Sequence, residues 1–452
     1  MTAALEIARA ALAHVDGDGE VVVHAETSGL ARFAESKVHQ PTLIDDVVVR
    51  VRSIHDGKVG AATTNRTDDS GLAEVARRAA AAANGAPPDP NFPGLAPPSE
   101  LPRVDGFDAT TAALGADEQA RLAEDAIAAA GLPAYGFFTS GLVELAIASS
   151  TGLAAEQRAT DASVLVLAAD EHRSGYAEAT AWRAADIDVA AVAREATAKA
   201  LRTERAQTVE PAAYPAVLEP YAFAELLQSF AHDSLGALGL LERRGFFAGK
   251  IGERVFDEKI TIVDDGLDRR GLPKAFDFEG SPKGRVDLVA DGIARGVVWD
   301  RRTASRAGNG AETTAHAPPP DFLDWGPLPT ALSVMGGDAA SVDELVSLVG
   351  DGLYITRLHY LGVVHPREGV ITGMTRDGTF RIRDGKIAEP LVNLRFTVSF
   401  PELLREVPGL THEVKLVNAT SFYGERYAHG SLVPALATAR FNVTGVGSTP
   451  GI

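Results

Sequence analysis

Cysteine is absent from all 452 residues, which excludes disulfides, thiol nucleophiles, thiolate zinc ribbons and iron–sulfur clusters. A surplus of positive charge is absent too. Lys and Arg number 43 against 61 Asp and Glu, a formal charge of −18, so a phosphate backbone is repelled and nucleic acid is not an expected partner. No stretch approaches the roughly 18 consecutive apolar residues of a membrane helix. The N-terminal segment carries Glu6 inside its apolar pattern and has no basic leader. It reads as a helix of the mature fold, and the expected location is cytoplasmic, without a membrane partner. With 45% hydrophobic and 23% charged residues, the chain has an ordinary globular composition and the length for two or three domains.

Familiar chemical motifs are scarce. There is no G-x-S-x-G elbow and no Walker A loop; Gly245 to Lys250 reads GFFAGK, one residue short and without the following Ser or Thr, so it reads as a turn. Gly445-Val446-Gly447 has no helix after it to present a positive dipole and reads as a tail turn. The eleven histidines include no pair four apart and no H-E-x-x-H, so imidazoles do not converge from one helical face on zinc. His232-Asp233 is half of a site at most, and His359 and His365 are spaced to approach each other across a turn; each is read as structural. The Arg pairs at 243–244, 269–270 and 301–302 read as solvated or salt-bridged surface.

Organisation is richer. Leu5, Ala8, Leu12 and Val15 recur at helical spacing, Glu20 to Ser28 and Leu43 to His55 are Val/Ile-rich strands, and Asp56-Gly57 makes a hairpin tip. Asp68-Asp69-Ser70 offers capping oxygens to a helix bearing Leu72, Val75 and Ala76. The plan then repeats at a constant offset of 117. Val47-Val48-Val49 maps onto Val164-Leu165-Val166, Thr63 onto Thr180, Arg66 onto Arg183 and Asp69 onto Asp186. This predicts a duplicated strand-and-helix unit, about 20–83 and 135–203, sharing one core. Between the copies, residues 84–103 hold seven prolines and form an extended connector. A further helix is expected over Asp117 to Ala130.

The expected domains are thus 1–207 and 208–452. The overall class is α+β: an N-terminal α/β domain with two repeated strand-helix halves, then a mostly antiparallel, β-rich, barrel-like C-terminal domain. In the latter, strands are expected at Lys259 to Asp265, Arg285 to Val289, Ile293 to Trp299, Leu353 to Tyr360, Thr379 to Ile387 and Leu391 to Ser399. Hairpin tips are expected at Asp291-Gly292, Asp377-Gly378 and Asp384-Gly385, and helices at Phe223 to Leu241, Val342 to Val349 and Pro401 to Glu406.

One block carries several ordered motifs: Gly249 to Val255 as Gly-x-x-Gly-Glu-x-Val, then Val263-Asp264-Asp265, then Phe276-Asp277-Phe278-Glu279-Gly280. In this the chain resembles the TldD/PmbA (TldD/TldE) family, also known as modulators of gyrase, and weaker similarity spans nearly the whole chain. The resemblance implies a duplicated N-terminal part, a β-rich C-terminal domain and dimers, commonly heterodimers, around a chamber that cleaves unfolded peptides. It also implies, in the catalytic TldD-type subunit, a helix with H-E-x-x-x-H and a downstream cysteine holding zinc.

Here the pattern departs. Aligned without gaps from Gly249, the motif positions read Gln228-Ser229-Phe230-Ala231-His232-Asp233, the cysteine is missing, and the comparable late loop is Gly424 to Gly430. No catalytic residue or metal is therefore assigned to this chain, with His232 a weak metal candidate and zinc expected only in a partner. The expectation is a non-catalytic TldE/PmbA-like subunit that completes the peptide chamber of a TldD-type catalytic partner, with Phe276, Asp277, Phe278, Glu279 and Gly280 as candidates for the substrate cleft and self-association left open. The alternatives are a stand-alone peptide-binding or scaffold protein, or a metallopeptidase with a divergent site built from His232 with Asp233 or Glu225.

Overall fold

The computed structural model describes residues 3–420 and 424–447. Among them the N-terminal part is a six-stranded antiparallel sheet in the order β3-β2-β1-β4-β5-β6. Its strands are β1 (Asp18–Ala34), β2 (Lys37–His55), β3 (Lys58–Thr64), β4 (Ala134–Ser149), β5 (Ala154–Ala169) and β6 (Ser174–Ala181). Helices α1 (Ala3–Leu12), α2 (Asp69–Gly85), α3 (Ala109–Ala112), α4 (Ala116–Ala129) and α5 (Val189–Ala200) accompany it.

The offset of 117 carries each major element of the first half onto one of the second: α1 onto α4, β1 onto β4, β2 onto β5, β3 onto β6 and α2 onto α5. At the middle of the sheet Glu26 pairs with Val143, its own counterpart, so a pseudo-two-fold axis passes there. Local chemistry explains the units. Asp56 and Gly57 take φ of 51° and 75°, as a tight primed turn requires, and Asp68 accepts from Gly71 N at 3.0 Å to cap α2. Helix and sheet meet at backbone distance in both copies. A Cβ on Gly60 would fall 2.0 Å from Ala83 N, and one on Gly175 would fall 2.3 Å from Ala200 N, so only glycine permits this packing.

The C-terminal part comprises β7 (Ala213–Leu218), α6 (Pro220–Ser234), α7 (Ala237–Leu241), β8 (Ile262–Asp265), β9 (Arg285–Ala290), β10 (Ile293–Ala294), α8 (Arg301–Ala307), β11 (Leu332–Val334), α9 (Val342–Val349), β12 (Gly352–His365), β13 (Val370–Arg383), β14 (Lys386–Leu391), β15 (Leu394–Ser399), α10 (Phe400–Leu403), β16 (Gly409–Asn418) and β17 (Gly430–Val446). β7 pairs with both β12 and β17, so the series β7-β12-β13-β15-β17 closes on itself as a barrel. Two pairings, β7 with β12 and β11 with β17, are parallel; the rest are antiparallel. The N-terminal turns of α6 are buried on nearly all sides, with Phe223, Leu226 and Leu227 fully covered, and the helix joins the main aromatic core.

Several local expectations change. Phe223 to Leu241 is two helices, interrupted at Leu235 and Gly236, where a Cβ on Gly236 would sit 2.3 Å from Pro327 O. Asp377-Gly378 is no hairpin tip: both residues take positive φ inside β13, where the register with β12 slips, as at a bulge. The turn of that hairpin is Asp384-Gly385, so the strand expected over Thr379 to Ile387 is the end of β13 plus the start of β14. Only Ile293-Ala294 is strand within 293–299, and the helix expected at Pro401 to Glu406 is the single turn Phe400–Leu403. Among the described residues no helix is long and apolar enough to cross a membrane.

Candidate functional site

Helix α6 starts with Pro220 at its first turn, where the missing N–H costs nothing and the fixed φ suits the helix. Gln228, Ser229 and His232, at helical spacings of one, three and four, come together on the face that is not fully buried. Gln228 Nε2 donates to Ser431 Oγ at 3.3 Å. Ser229 Oγ donates back to Glu225 O at 2.8 Å. The exposed His232 ring stands edge-on to Trp325 with centroids 5.3 Å apart, and Phe322 packs on Trp325 at 4.9 Å. Asp233 accepts from Arg244. About two turns before Asp233, half-buried Glu225 accepts from Leu358 N at 2.7 Å and is pushed up to about 8 by burial, against the pull of Arg357. His359 and His365 do not meet across a turn. Both lie on β12, opposite Met374 and Val370 of β13, and His359 packs on Tyr360 at 4.1 Å.

The loop Phe276 to Gly280 is interior. Phe276 is fully buried against Val22, Leu145, Ile147 and Leu153 of the N-terminal part, and Gly280, at φ 75°, sits where a Cβ would strike Leu153 at 2.6 Å. Asp277 Oδ1 accepts from Glu279 N (3.0 Å) and Ser281 N (2.9 Å), and its Oδ2 from Ala317 N (2.8 Å). Glu279 Oε2 accepts from Arg301 N at 3.0 Å. Burial pushes Asp277 up to about 6 and, with Asp277 and Asp300 nearby, Glu279 up to about 8. Their carboxylates tie down backbone amides. Of the five, Phe278 lines a small cavity, shared with His24, Asp161, Lys274, Arg426 and Tyr427. In that cavity Lys274 Nζ donates to the carbonyls of Leu272 and Ala428, and burial, helped by Lys283, pushes it down to about 7. Asp264 of the Val263-Asp264-Asp265 motif is fully buried, accepting from Ala331 N at 2.8 Å and facing His316 Nε2 at 2.8 Å. Burial alone would raise its pKa, but His316, Lys283 and the Ala331 amide together outweigh this and hold it well below the ordinary carboxylate range.

Spacing did not reveal the seam between the two parts. Arg426, on the loop that follows β16, reaches the middle of the N-terminal sheet. Its Nε and Nη2 donate to both oxygens of Asp161 (2.8 and 2.7 Å), Nη1 to Thr139 Oγ1 (3.1 Å) and its amide to Glu26 Oε2 (2.7 Å), while its carbonyl meets His24 Nε2 at 2.9 Å. Partners as far as 402 residues apart leave no local signal to read.

Comparison with known proteins now decides the family. The PmbA/TldA metallopeptidase C-terminal domain matches residues 211–445, domain 1 matches 19–83 and the central domain 108–204. The chain belongs to the TldD/PmbA family. TldE from Thermococcus kodakarensis superposes on 98% of this chain and all of its own at a TM-score of 0.86, with 18% identity. A Thermotoga maritima protein described as a modulator of a DNA gyrase covers 94% of this chain and 96% of its own at 0.82, also with 18% identity; both likenesses show the fold. A metalloprotease of Methanothermobacter thermautotrophicus is 26% identical over 51% of this chain and 49% of its own. The TldD metalloprotease homologue of Haemophilus influenzae is 28% identical over 58% and 54%. The chain therefore spans about half the length of these curated relatives.

A TldD/PmbA metallopeptidase implies a bound metal, and the donors at the α6 motif do not fit one. Gln228 and Ser229 offer neutral amide and hydroxyl groups, Asp233 is held by Arg244, and His232 stands alone beside Trp325, whereas a catalytic zinc takes three nitrogen, sulfur or carboxylate ligands. Among the described residues no group of three His, Asp or Glu is placed to hold a metal ion.

Proposed function

We propose that this chain is the non-catalytic, TldE-like subunit of a two-subunit zinc metallopeptidase, shaping a chamber for unfolded peptides whose metal and general base come from a TldD-type partner. The observation that carries the reading is the engagement of the motif positions on α6: Asp233 is committed to Arg244 and Gln228 to Ser431, side-chain chemistry unsuited to activating water. The likeness to TldE and to TldD homologues supports it. In this reading the loop Phe276 to Gly280 shapes the chamber wall through Phe278, a cytoplasmic location follows, and zinc belongs to the partner.

The test is purification of this chain alone and together with a family member carrying H-E-x-x-x-H and a late cysteine, with zinc content and cleavage of an unfolded peptide measured for each. The expected result is zinc and activity only in the pair, surviving Asp233→Ala here. Stoichiometric zinc and cleavage by this chain alone would overturn the assignment.

A further inference from the structure

The two edges of β2 are treated differently. One edge pairs with β1 along nearly its whole length, whereas β3 covers the other only from Val49 to His55. Among the described residues no other segment pairs with that second edge between Lys37 and Val48. The internal repeat shows what occupies the corresponding place in the second copy. On β5 the pairing with β6 begins at Ala162, and the stretch before it is covered by the protein's own extended chain. There Thr160 N donates to Gly106 O at 2.9 Å, Asp108 N donates to Thr160 Oγ1 at 3.0 Å, and Arg158 lies 4.0 Å over Phe107. Nearby, Ala275 N donates to Gln157 Oε1 at 2.8 Å. By the same offset Thr160 corresponds to Leu43, and Ala162 and Ser163, which β6 covers, correspond to Asp45 and Asp46; on β2 Thr42, Leu43, Asp45 and Asp46 all face solvent, with Leu43 65% exposed.

We propose that the open edge of β2 from Thr42 to Val48 seats an extended, positively charged strand of a second, different subunit. This rests on the paired-subunit reading above. The ends of the seat are set by the chain itself. Gln40 at φ 53° and Pro41, which has no N–H, break the ladder on one side, and β3 closes it on the other. The seven residues between match an ordinary strand. Their charge selects the occupant. Asp45 and Asp46 make no ion pair among the described residues; Asp46 accepts only the neighbouring Val47 N, at 2.9 Å. A second copy pairing antiparallel about this edge would set Asp45 against Asp45, and like charges directly opposite are repelled. A strand with Lys or Arg at those places is attracted, so the same doublet rejects self-pairing and favours a distinct partner.

The full-length chain, titrated with the zinc-bearing family member and followed by sedimentation and hydrogen exchange, tests this. Asp45→Lys with Asp46→Lys should weaken the pair by about tenfold or more while leaving thermal unfolding unchanged; the Asn pair should lose less, and amides 42–48 should gain protection in the wild-type complex. If a complex forms but the Lys variant binds within about twofold of wild type, or 42–48 gains no protection, the seat is wrong and the paired-subunit reading survives. If wild type forms no complex, both fall. Protection of 42–48 that grows with the concentration of this chain alone, or with an added basic unfolded peptide, would assign the edge to that occupant and overturn the proposal.

Discussion

Two arginines, Arg426 buried and Arg357 half-buried, hold the N-terminal sheet to the C-terminal barrel, and their surroundings differ. Arg426 is fully provided for: a bidentate carboxylate, a threonine hydroxyl, and main-chain bonds to Glu26 and His24. Burial opposes its charge, but Asp161 and Glu26 together more than offset this and raise its pKa. Arg357 of β12 is not so provided for. Its guanidinium lies 4.1 Å over Tyr176, the Asp377 carboxylate is 3.4 Å away, and among the described residues neither oxygen of Asp377 nor Nε of Arg357 has a well-aligned hydrogen-bond partner. Glu178 of β6 and Glu225 of α6 share the same cation. Glu178 is instead satisfied by Tyr176 OH at 2.6 Å and Asn418 N at 3.0 Å. The other cations nearby are weakly placed: Arg376 reaches Asp377 only at 3.9 Å, and Lys415 is drawn to Tyr221 and Glu195. Burial raises the pKa of Glu178, Glu225 and Asp377 alike. The contrast teaches that a charge can be retained in a seam either by complete hydrogen bonding or by facing several carboxylates whose pKa values burial raises, Glu225 to about 8.

The largest way to break this comparison is Arg426→Ala, which strands Asp161 in a buried site and should lower unfolding free energy in denaturant by about 3–5 kcal/mol. Gly141→Ala is milder. Its Cβ would lie 2.6 Å from Arg426 Nε, and overpacking of that kind costs about 1–3 kcal/mol. At the other junction pH is the tool. Glu225 is raised from 4.5 to about 8 in the folded state, so the folded protein binds the extra proton. Its contribution is complete below about pH 4.5 and is lost as pH rises through about 8. The stability of wild type should therefore fall relative to Glu225→Gln between pH 5 and pH 9, by up to about 4 kcal/mol, read from chemical unfolding at each pH. The smallest effect is expected for Asp377→Asn, which removes a buried charge lacking well-aligned hydrogen bonds and should change stability by less than about 1 kcal/mol or raise it. A loss as large as that of Arg426→Ala would erase the distinction between the two junctions.

Much of the fold was legible because it is local or repeated. The turn at Asp56-Gly57, the cap at Asp68 and the duplicated halves are set by neighbours in the chain or by a second copy of the same pattern. The closed barrel was legible as a class, from short strands and Asp-Gly turns, but not in its closure, since β7 meets β17 more than two hundred residues later. Asp377-Gly378 has the composition of a hairpin tip and became a bulge because β12 continues opposite it. At the candidate site, the identities of Gln228, Ser229 and Asp233 were visible, whereas the partner of each was not. Phe276 to Gly280 was recognisable as a motif, yet only the packed structure shows its acids holding the amides of Ala317 and Arg301.

Sequence by itself determined the family, the repeat, the missing cysteine and the departures from the zinc motif, because these depend on residue identity and order. Tertiary structure alone decided that Asp233 is tied to Arg244, that Arg426 spans the seam to Asp161, and that one copy's sheet edge is covered while, among the described residues, its twin at Thr42 to Val48 is unpaired. Those are relations between surfaces brought together from distant parts of the chain. Their energies depend on burial and on which donors arrive, and neither is written in any local stretch.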